Sequence, residues 1–294
     1  MMQRARSTKT TVAVISSHVA RGTVGNRATV FALETLGFPV WAIPTVTLPW
    51  HPGHGPAPRI VPDDNAFADM MGALAASPYV GEVGAVLSGY LGSPAQADAI
   101  AGLVGAVRQA NPDALYVCDP VIGDAGGLYV PEETATAIRD RLYAIADIVS
   151  PNRYEFEWLA GRRMETNGEI VAEAERAQAE TVLVTSAYSL LAGGTGNLLV
   201  DGGRALLAEH RHIDNPPNGP GDLTAALFTG HVLAGQTSEK ALQRATASVY
   251  ELVSRTCKRG ADELMLETDA DCLSRPMAMV QVRQMAVAHP PRLA

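Results

Sequence analysis

With 294 residues, a net charge of −8 and 47% apolar but only 5% aromatic residues, the chain can bury a sizeable α/β core and has no basic excess to attract nucleic acid or an anionic membrane. Its three cysteines, Cys118, Cys257 and Cys272, are unevenly spaced and form no Cys-x-x-Cys pair, which argues against a disulfide framework and fits reduced thiols in a cytoplasm. Arg4, Arg6 and Lys9 precede an apolar run far too short for a secretory signal, and no stretch approaches the roughly 20 apolar residues of a membrane span.

In chain order, residues 11–15 read as a buried strand, and Ala28, Phe31, Ala32, Thr35 and Leu36 share one face of the helix that follows, which Gly37 stops. Residues 40–44 form a second strand. The stretch 49–56, with Trp50, His51 and His54 among prolines and glycines, holds too many breakers for regular structure. Strands follow at 85–88 and 115–119, separated by a helix that buries Ile100, Leu103, Val104 and Val107. The same grammar repeats: a helix over 132–143, a strand at 147–150, a helix over 153–159 and a strand at 181–185. Residues 198–200 and 205–207 flank Asp201-Gly202-Gly203, a hairpin signal.

A glycine-rich segment, Asn218-Gly219-Pro220-Gly221-Asp222, then opens a helix in which Leu223, Ala226, Leu227, Gly230 and Leu233 recur at helical spacing, predicting one small apolar face. A final helix turns Leu242, Ala245, Val249, Leu252 and Val253 inward. Alternating strands and helices argue for a three-layer αβα fold with a central, mostly parallel sheet. No boundary interrupts the pattern, so one domain is expected over 11–275, after an N-terminal extension at 1–10. From about Pro276 the pattern is lost, which predicts a mobile tail over 276–294.

An open α/β sheet binds ligands at the carboxyl ends of its strands. At those ends stand Ser16-Ser17-His18, Ser88-Gly89-Tyr90, Asp119 with Asp124, Asn152 with Glu155, and Thr185-Ser186. The helix opened by Gly219 to Asp222 presents bare N–H groups, which favour an anion, beside one carboxylate. Each residue alone has a plain structural role: Asp222 or Asn152 as a helix cap, Ser17 or Thr185 as an ordinary strand residue. Together, hydroxyls, an amide and carboxylates facing a glycine-rich helix start suit a phosphorylated ligand with a divalent cation.

In order along the chain, Ser17-His18-Val19, Gly22 and Val24-Gly25-Asn26 are followed by Ser88-Gly89-Tyr90-Leu91-Gly92, Asp119-Pro120-Val121-Ile122-Gly123-Asp124, Tyr129-Val130-Pro131, Asn152-Arg153-Tyr154-Glu155 and Gly219-Pro220-Gly221-Asp222-Leu223. This series resembles the pyridoxal kinase branch of the ribokinase-like kinases, over nearly the whole patterned chain. The resemblance implies ATP-dependent phosphorylation of the 5′-hydroxyl of pyridoxal or a related B6 vitamer. It makes Asp222 the base, with N–H groups around Gly219, Gly221 and Asp222 holding the transferring phosphate. Asp119 and Glu155 would hold Mg²⁺ through water, and Asp124, Tyr129, Asn152, Thr185 and Ser186 would line the nucleotide phosphates. Ser17, Val24, His51 and Tyr90 would contact the vitamer. The family commonly adds a monovalent cation (K⁺), which nothing in the sequence places, and is usually homodimeric and cytoplasmic. Two alternatives stand beside this: a kinase for another hydroxymethyl heterocycle such as hydroxymethylpyrimidine, and a weakly active B6-vitamer or pyridoxal phosphate binder.

Two departures from the family pattern bear on chemistry. Where the family commonly has Ser-Asn-His-Thr-Gly-Tyr in the loop over the substrate, this chain has Pro49-Trp50-His51-Pro52-Gly53-His54, so a threonine hydroxyl is replaced by a ring that donates nothing. His51 and His54 lack a third ligand nearby, so the loop reads as a flap or a structural turn and not as a metal site. Pro220 removes one N–H from the anion hole, although proline also suits a first helical turn. A lost oxyanion donor costs at most about 3 kcal/mol, roughly a hundredfold in rate. Pro220→Thr is therefore expected to raise kcat at least severalfold, and an unchanged kcat would show that the missing donor lies outside the reaction.

Overall fold

A computed structural model describes residues 9–286. In chain order its elements are β1 (Thr11–Val19), α1 (Asn26–Thr35), β2 (Val40–Leu48), α2 (Asp64–Ala75), β3 (Val83–Ser88), α3 (Ala95–Ala110), β4 (Leu115–Cys118), β5 (Gly123–Asp124), β6 (Gly127–Leu128), α4 (Glu132–Ala137), β7 (Ile148–Val149), α5 (Arg153–Ala160), α6 (Asn167–Ala174), β8 (Thr181–Ala187), β9 (Gly194–Asp201), β10 (Arg204–Arg211), α7 (Pro220–Leu233), α8 (Ser238–Lys258), α9 (Ala270–Ser274) and β11 (Gln281–Met285).

Nine strands form the central sheet in the order β11-β10-β9-β8-β7-β4-β3-β1-β2. From β2 to β8 every pairing is parallel, and from β8 to β11 every pairing is antiparallel. The expected αβα sandwich is present, with an antiparallel edge. Side-chain alternation along β1 sends Val12 and Val14 into one core and Ala13 and Ile15 into the other. The first core is covered by α1, α7, α8 and α9, the second by α2 to α6. β1 lies between β2 and β3, so the chain leaves it first to one side and then to the other. That reversal opens a crevice at the strand ends.

Several elements differ from the sequence reading. α7 is buried on all sides from Leu223 to His231, not on one face, because it lies between α1 and α8. α2 has no counterpart in the apolar pattern because only Phe67 and Met71 are buried; Asp63 caps it by accepting from the Asn65 and Ala66 N–H groups. α6 carries a Thr166-x-x-Glu169 capping box, a signal present in the sequence. β2 continues past Pro44, which is tolerated because this strand is the sheet edge. Residues 52–54 make one 3₁₀ turn inside the expected irregular loop. The patternless stretch after Pro276 contains β11, whose partners run from Ala205↔Met285 to Glu209↔Gln281. The rest of the expected tail, 287–294, and residues 1–8 of the extension lie outside the described residues. No described helix is long and apolar enough to cross a membrane.

Gly230 is where α7 meets α1: a Cβ there would lie 2.6 Å from Leu36 Cδ1 and 3.4 Å from Leu33 Cδ2. Gly230→Val is expected to cost about 1–3 kcal/mol by overpacking. Gly230→Ala is expected to be nearly neutral, because about 1 kcal/mol of helix propensity offsets displacement of one leucine methyl. Urea midpoints for the two variants check the difference.

Candidate active site

The site is organised around the first turn of α7. Gly219 precedes it at φ 101°, a left-handed conformation, and a Cβ there would meet the Thr23 carbonyl oxygen at 2.3 Å. Only glycine lets the loop after β1 come this close. Pro220 occupies N1, so Gly221 and Asp222 carry the first free helical donors. A Cβ on Gly221 would meet nothing within 4 Å, so its backbone faces open space.

Asp222 is half-buried, and burial pushes its carboxyl up to about 6 while the Gly25 N–H draws it down. Two further carboxylates share its field. Asp119, buried just after β4, is held well above the usual range, first by burial and then by the charges of Glu155 and Asp222. Glu155 is raised to about 8, with burial outweighing three N–H donors. Those donors are Ile122 at 3.0 Å and Gly123 at 3.3 Å on Oε1, and Asn152 at 2.7 Å on Oε2. Among the described residues, the groups that act most strongly on the three carboxyls include no basic side chain. Three carboxylates grouped in this way, Asp119 and Glu155 buried and Asp222 half-buried, fit a divalent cation. Glu155 spends both oxygens on backbone donors, so it reaches an ion best through water, whereas Asp119 has no such engagement.

Asn152 has a second role that its sequence position also allowed. Its Oδ1 accepts from the Glu155 N–H at 3.0 Å, completing a capping box on α5, and its Nδ2 donates to the Gly123 carbonyl at 2.8 Å. The Gly123–Asp124 and Gly127–Leu128 hairpin thereby hangs on α5. Asp124 accepts from the Gly126 N–H at 2.7 Å, and burial first, then the neighbouring Asp124 carboxylate, raise the Tyr129 phenol above its usual range.

On one side of the carboxylates stand the residues expected to meet a vitamer. β1 runs on to Val19, so Ser17 lies within the strand and not past its end, at a shift in register with β2 between Ser16 and His18. Such a bulge re-aims side chains at a sheet rim. Ser17 and Val24 are buried, and a Cβ on Gly25 would sit 2.4 Å from the Ser17 hydroxyl. Tyr90 is half-buried, held by its N–H to Ser16 Oγ at 3.2 Å and by Thr45 Oγ1 donating to its carbonyl at 2.6 Å. His51 caps the 3₁₀ turn, its Nδ1 accepting from the Gly53 N–H at 3.0 Å. Burial lowers the His51 pKa, and in the neutral ring the proton therefore sits on Nε2, which is left as a donor. His54 turns away to Glu263, so the two histidines do not pair on one ion. Trp50 Nε1 donates to the Gly55 carbonyl at 3.3 Å and anchors the loop.

On the other side, a cleft of about 180 Å³ runs between the antiparallel strands and α8 and reaches Pro220 and Gly221. Thr185 and Ser186 line it, the latter at φ 54°, unusual for a residue with a side chain. Asp124, Tyr129 and Asn152 are not among its walls, although Asn152 bridges to Thr185 in parallel register. Sequence reading missed Thr195, Asn197, His210, Ile213, Thr246 and Tyr250, and took Val249 and Val253 as core alone. No local motif marks these positions; the order of β8, β9 and β10 beside α8 brings them together.

The chain is similar over most of its length to named kinases. It is 40% identical to a pyridoxal kinase from Rubrobacter xylanophilus, over 92% of this chain and 96% of the relative. It is 37% identical to a pyridoxine/pyridoxal/pyridoxamine kinase from Bordetella bronchiseptica, over 87% and 92%. The chain belongs to the pyridoxal kinase family. Residues 77–267 also match the family model described as phosphomethylpyrimidine kinase. A solved pyridoxal kinase from Leishmania donovani, in complex with ADP and pyridoxamine, superposes with a TM-score of 0.87 at 28% identity, covering 94% of this chain and 100% of that one.

The raised carboxyls of this family member give a stability signature. A carboxyl with a raised folded pKa binds more protons when folded than when unfolded, so its stabilising effect is lost as pH rises through the folded value. Between pH 7.5 and 8.5, above the ordinary imidazole range, Glu155 titrates. In metal-free buffer Tm is expected to fall across that range. Glu155→Gln, although less stable overall, is expected to flatten the slope, as is millimolar Mg²⁺. An identical slope in the variant would remove Glu155 as its source.

Proposed function

We propose that this chain transfers the γ-phosphoryl group of ATP to the 5′-hydroxyl of pyridoxal or a related B6 vitamer. The observation that carries the reading is the position of Asp222: a carboxylate in the first turn of α7, met by the Gly25 N–H from the loop after β1 and next to Pro220 and Gly221, which line the cleft. A carboxyl near 6 is mostly ionised at neutral pH yet basic enough to accept a proton from an attacking hydroxyl. The proton moves to Asp222 as the 5′-oxygen bonds to phosphorus, the bond from phosphorus to the bridging oxygen breaks, and ADP leaves. The N–H groups of Gly219, Gly221 and Asp222 hold the transferring phosphoryl group, aided by the dipole of α7. Phosphoryl transfer depends on positioning and charge neutralisation more than on covalent help, which matches these parts.

Ser17, Val24, Tyr90 and the His51 Nε2 donor form the vitamer side of this reading. Thr185 and Ser186 face the nucleotide from its cleft, and Asp124, Tyr129 and Asn152 approach its phosphates from the hairpin and the start of α5. Mg²⁺ held by Asp119, and by Glu155 through water, would neutralise phosphate charge. The clustered carboxylates support that assignment. Unpaired cysteines support a cytoplasmic location. A monovalent cation and a homodimeric assembly rest on family resemblance alone.

A second reading, phosphorylation of a hydroxymethylpyrimidine, is favoured by the match to the phosphomethylpyrimidine kinase family model and by Pro52, which takes a hydrogen-bond donor away from the flap. A coupled ADP-release assay with Mg²⁺ and ATP over pyridoxal, pyridoxine, pyridoxamine and hydroxymethylpyrimidine separates the readings, with Asp222→Asn as control. Turnover on a B6 vitamer is expected, with kcat/KM falling below about pH 6. The variant is expected to lose turnover while ATP still binds by calorimetry. Turnover on none of the four would favour a binding role.

A further inference from the structure

One buried-side carboxylate outside the reaction centre touches two loops at once. Glu263, in the segment after α8, sends Oε1 to His54 Nε2 at 2.8 Å and Oε2 to the Thr23 N–H at 3.2 Å, with Thr23 Oγ1 at 3.4 Å. Its side chain is only 14% exposed, and Arg21 Nη1 lies 3.8 Å from Oε1. The approach is so close that a Cβ on Gly22 would lie 2.6 Å from Oε1.

Each loop leads to the site. His54 closes the 3₁₀ turn whose first residue is capped by His51, the flap residue assigned to the vitamer. A Cβ on Gly53 would be 3.2 Å from Asn218 Nδ2, so this turn also lies against the approach to α7. Thr23 stands between Gly22 and Val24; its carbonyl abuts Gly219, and two residues on, the Gly25 N–H acts on Asp222. Leu264, next to Glu263, supports Gly219 from the same side, 3.3 Å from where its Cβ would be.

We propose that Glu263 is a positioning residue that latches the flap to the base loop: one oxygen holds His54, the other holds Thr23, so that closure over the vitamer and placement of the Gly25 N–H on Asp222 are set by the same side chain. His54 is the flap's half of the latch and acts on substrate retention. Glu263 acts on both retention and the chemical step.

The kinetic part of this inference rests on the kinase reading; the structural part does not. Hydrogen exchange on the ligand-free protein tests the latch directly. His54→Phe is expected to speed exchange at the His54–Gly55 turn about tenfold and leave Thr23 unchanged, whereas Glu263→Ala speeds both. With pyridoxal, His54→Phe is expected to raise KM severalfold with kcat within twofold, and Glu263→Ala to raise KM and lower kcat, while KM for ATP stays constant in both. The double variant is expected to match Glu263→Ala alone. Unchanged exchange at the turn in both variants, or effects that multiply in the double variant, would overturn the latch. Should Glu263→Ala not fold, exchange and KM in His54→Phe decide alone. Absence of wild-type turnover on every vitamer would instead count against the kinase reading and leave the exchange result standing.

Discussion

Three carboxylates, Asp119, Glu155 and Asp222, are placed within one another's field in a region where burial already opposes their ionisation. Like charges in low dielectric repel strongly, and among the described residues the groups that act most strongly on these three include no basic side chain. The surrounding backbone answers this constraint. Ile122, Gly123 and Asn152 turn N–H groups onto Glu155, Gly25 serves Asp222, and the start of α7 adds its dipole. Burial and mutual repulsion still keep all three carboxyls above their ordinary values.

The sheet decides where the candidate site residues gather. Its parallel half reverses direction at β1, and the crevice there carries Ser17, Val24 and Tyr90. Its antiparallel half, with α8, supplies the cleft lined by Thr185, Ser186 and Val253. α7 starts between the two, buried all round from Leu223 onward, so its first turn cannot drift. Close contact at Gly219 and at Gly230 fixes the helix against the Thr23 loop and against α1. The helix is thus held near both of its ends, at Gly219 before its first turn and at Gly230 in its last.

Residues that differ from the usual family pattern stand in two places, the 49–56 loop and the first turn of α7. Pro52 removes a hydroxyl from the flap, and His54 gives the same turn a hydrogen bond to Glu263. Pro220 takes one donor from α7 but lies at N1, where a proline costs the helix nothing. The carboxylate cluster and the capping box are intact. The chain therefore keeps the machinery for phosphoryl transfer while altering how the acceptor is enclosed.

Local chemistry determined much of this from the sequence alone. Alternating strand and helix patterns gave the αβα class, the segment from Gly219 to Asp222 marked the anion-binding helix, and Asn152-x-x-Glu155 marked a cap that also lies at the site. Such features are legible because each depends on residues within a few positions of one another. α2 escaped notice because only two of its side chains are buried, and β11 because a five-residue edge strand needs its partner β10 to be recognised at all. The cleft beside α8, the mutual influence of Asp119, Glu155 and Asp222, and the bridge from Glu263 to His54 and Thr23 join residues up to 240 positions apart. Only the order of strands and the packing of α7 and α8 on them bring those groups together, because burial and Coulomb interactions depend on distance in space and leave no mark on spacing along the chain.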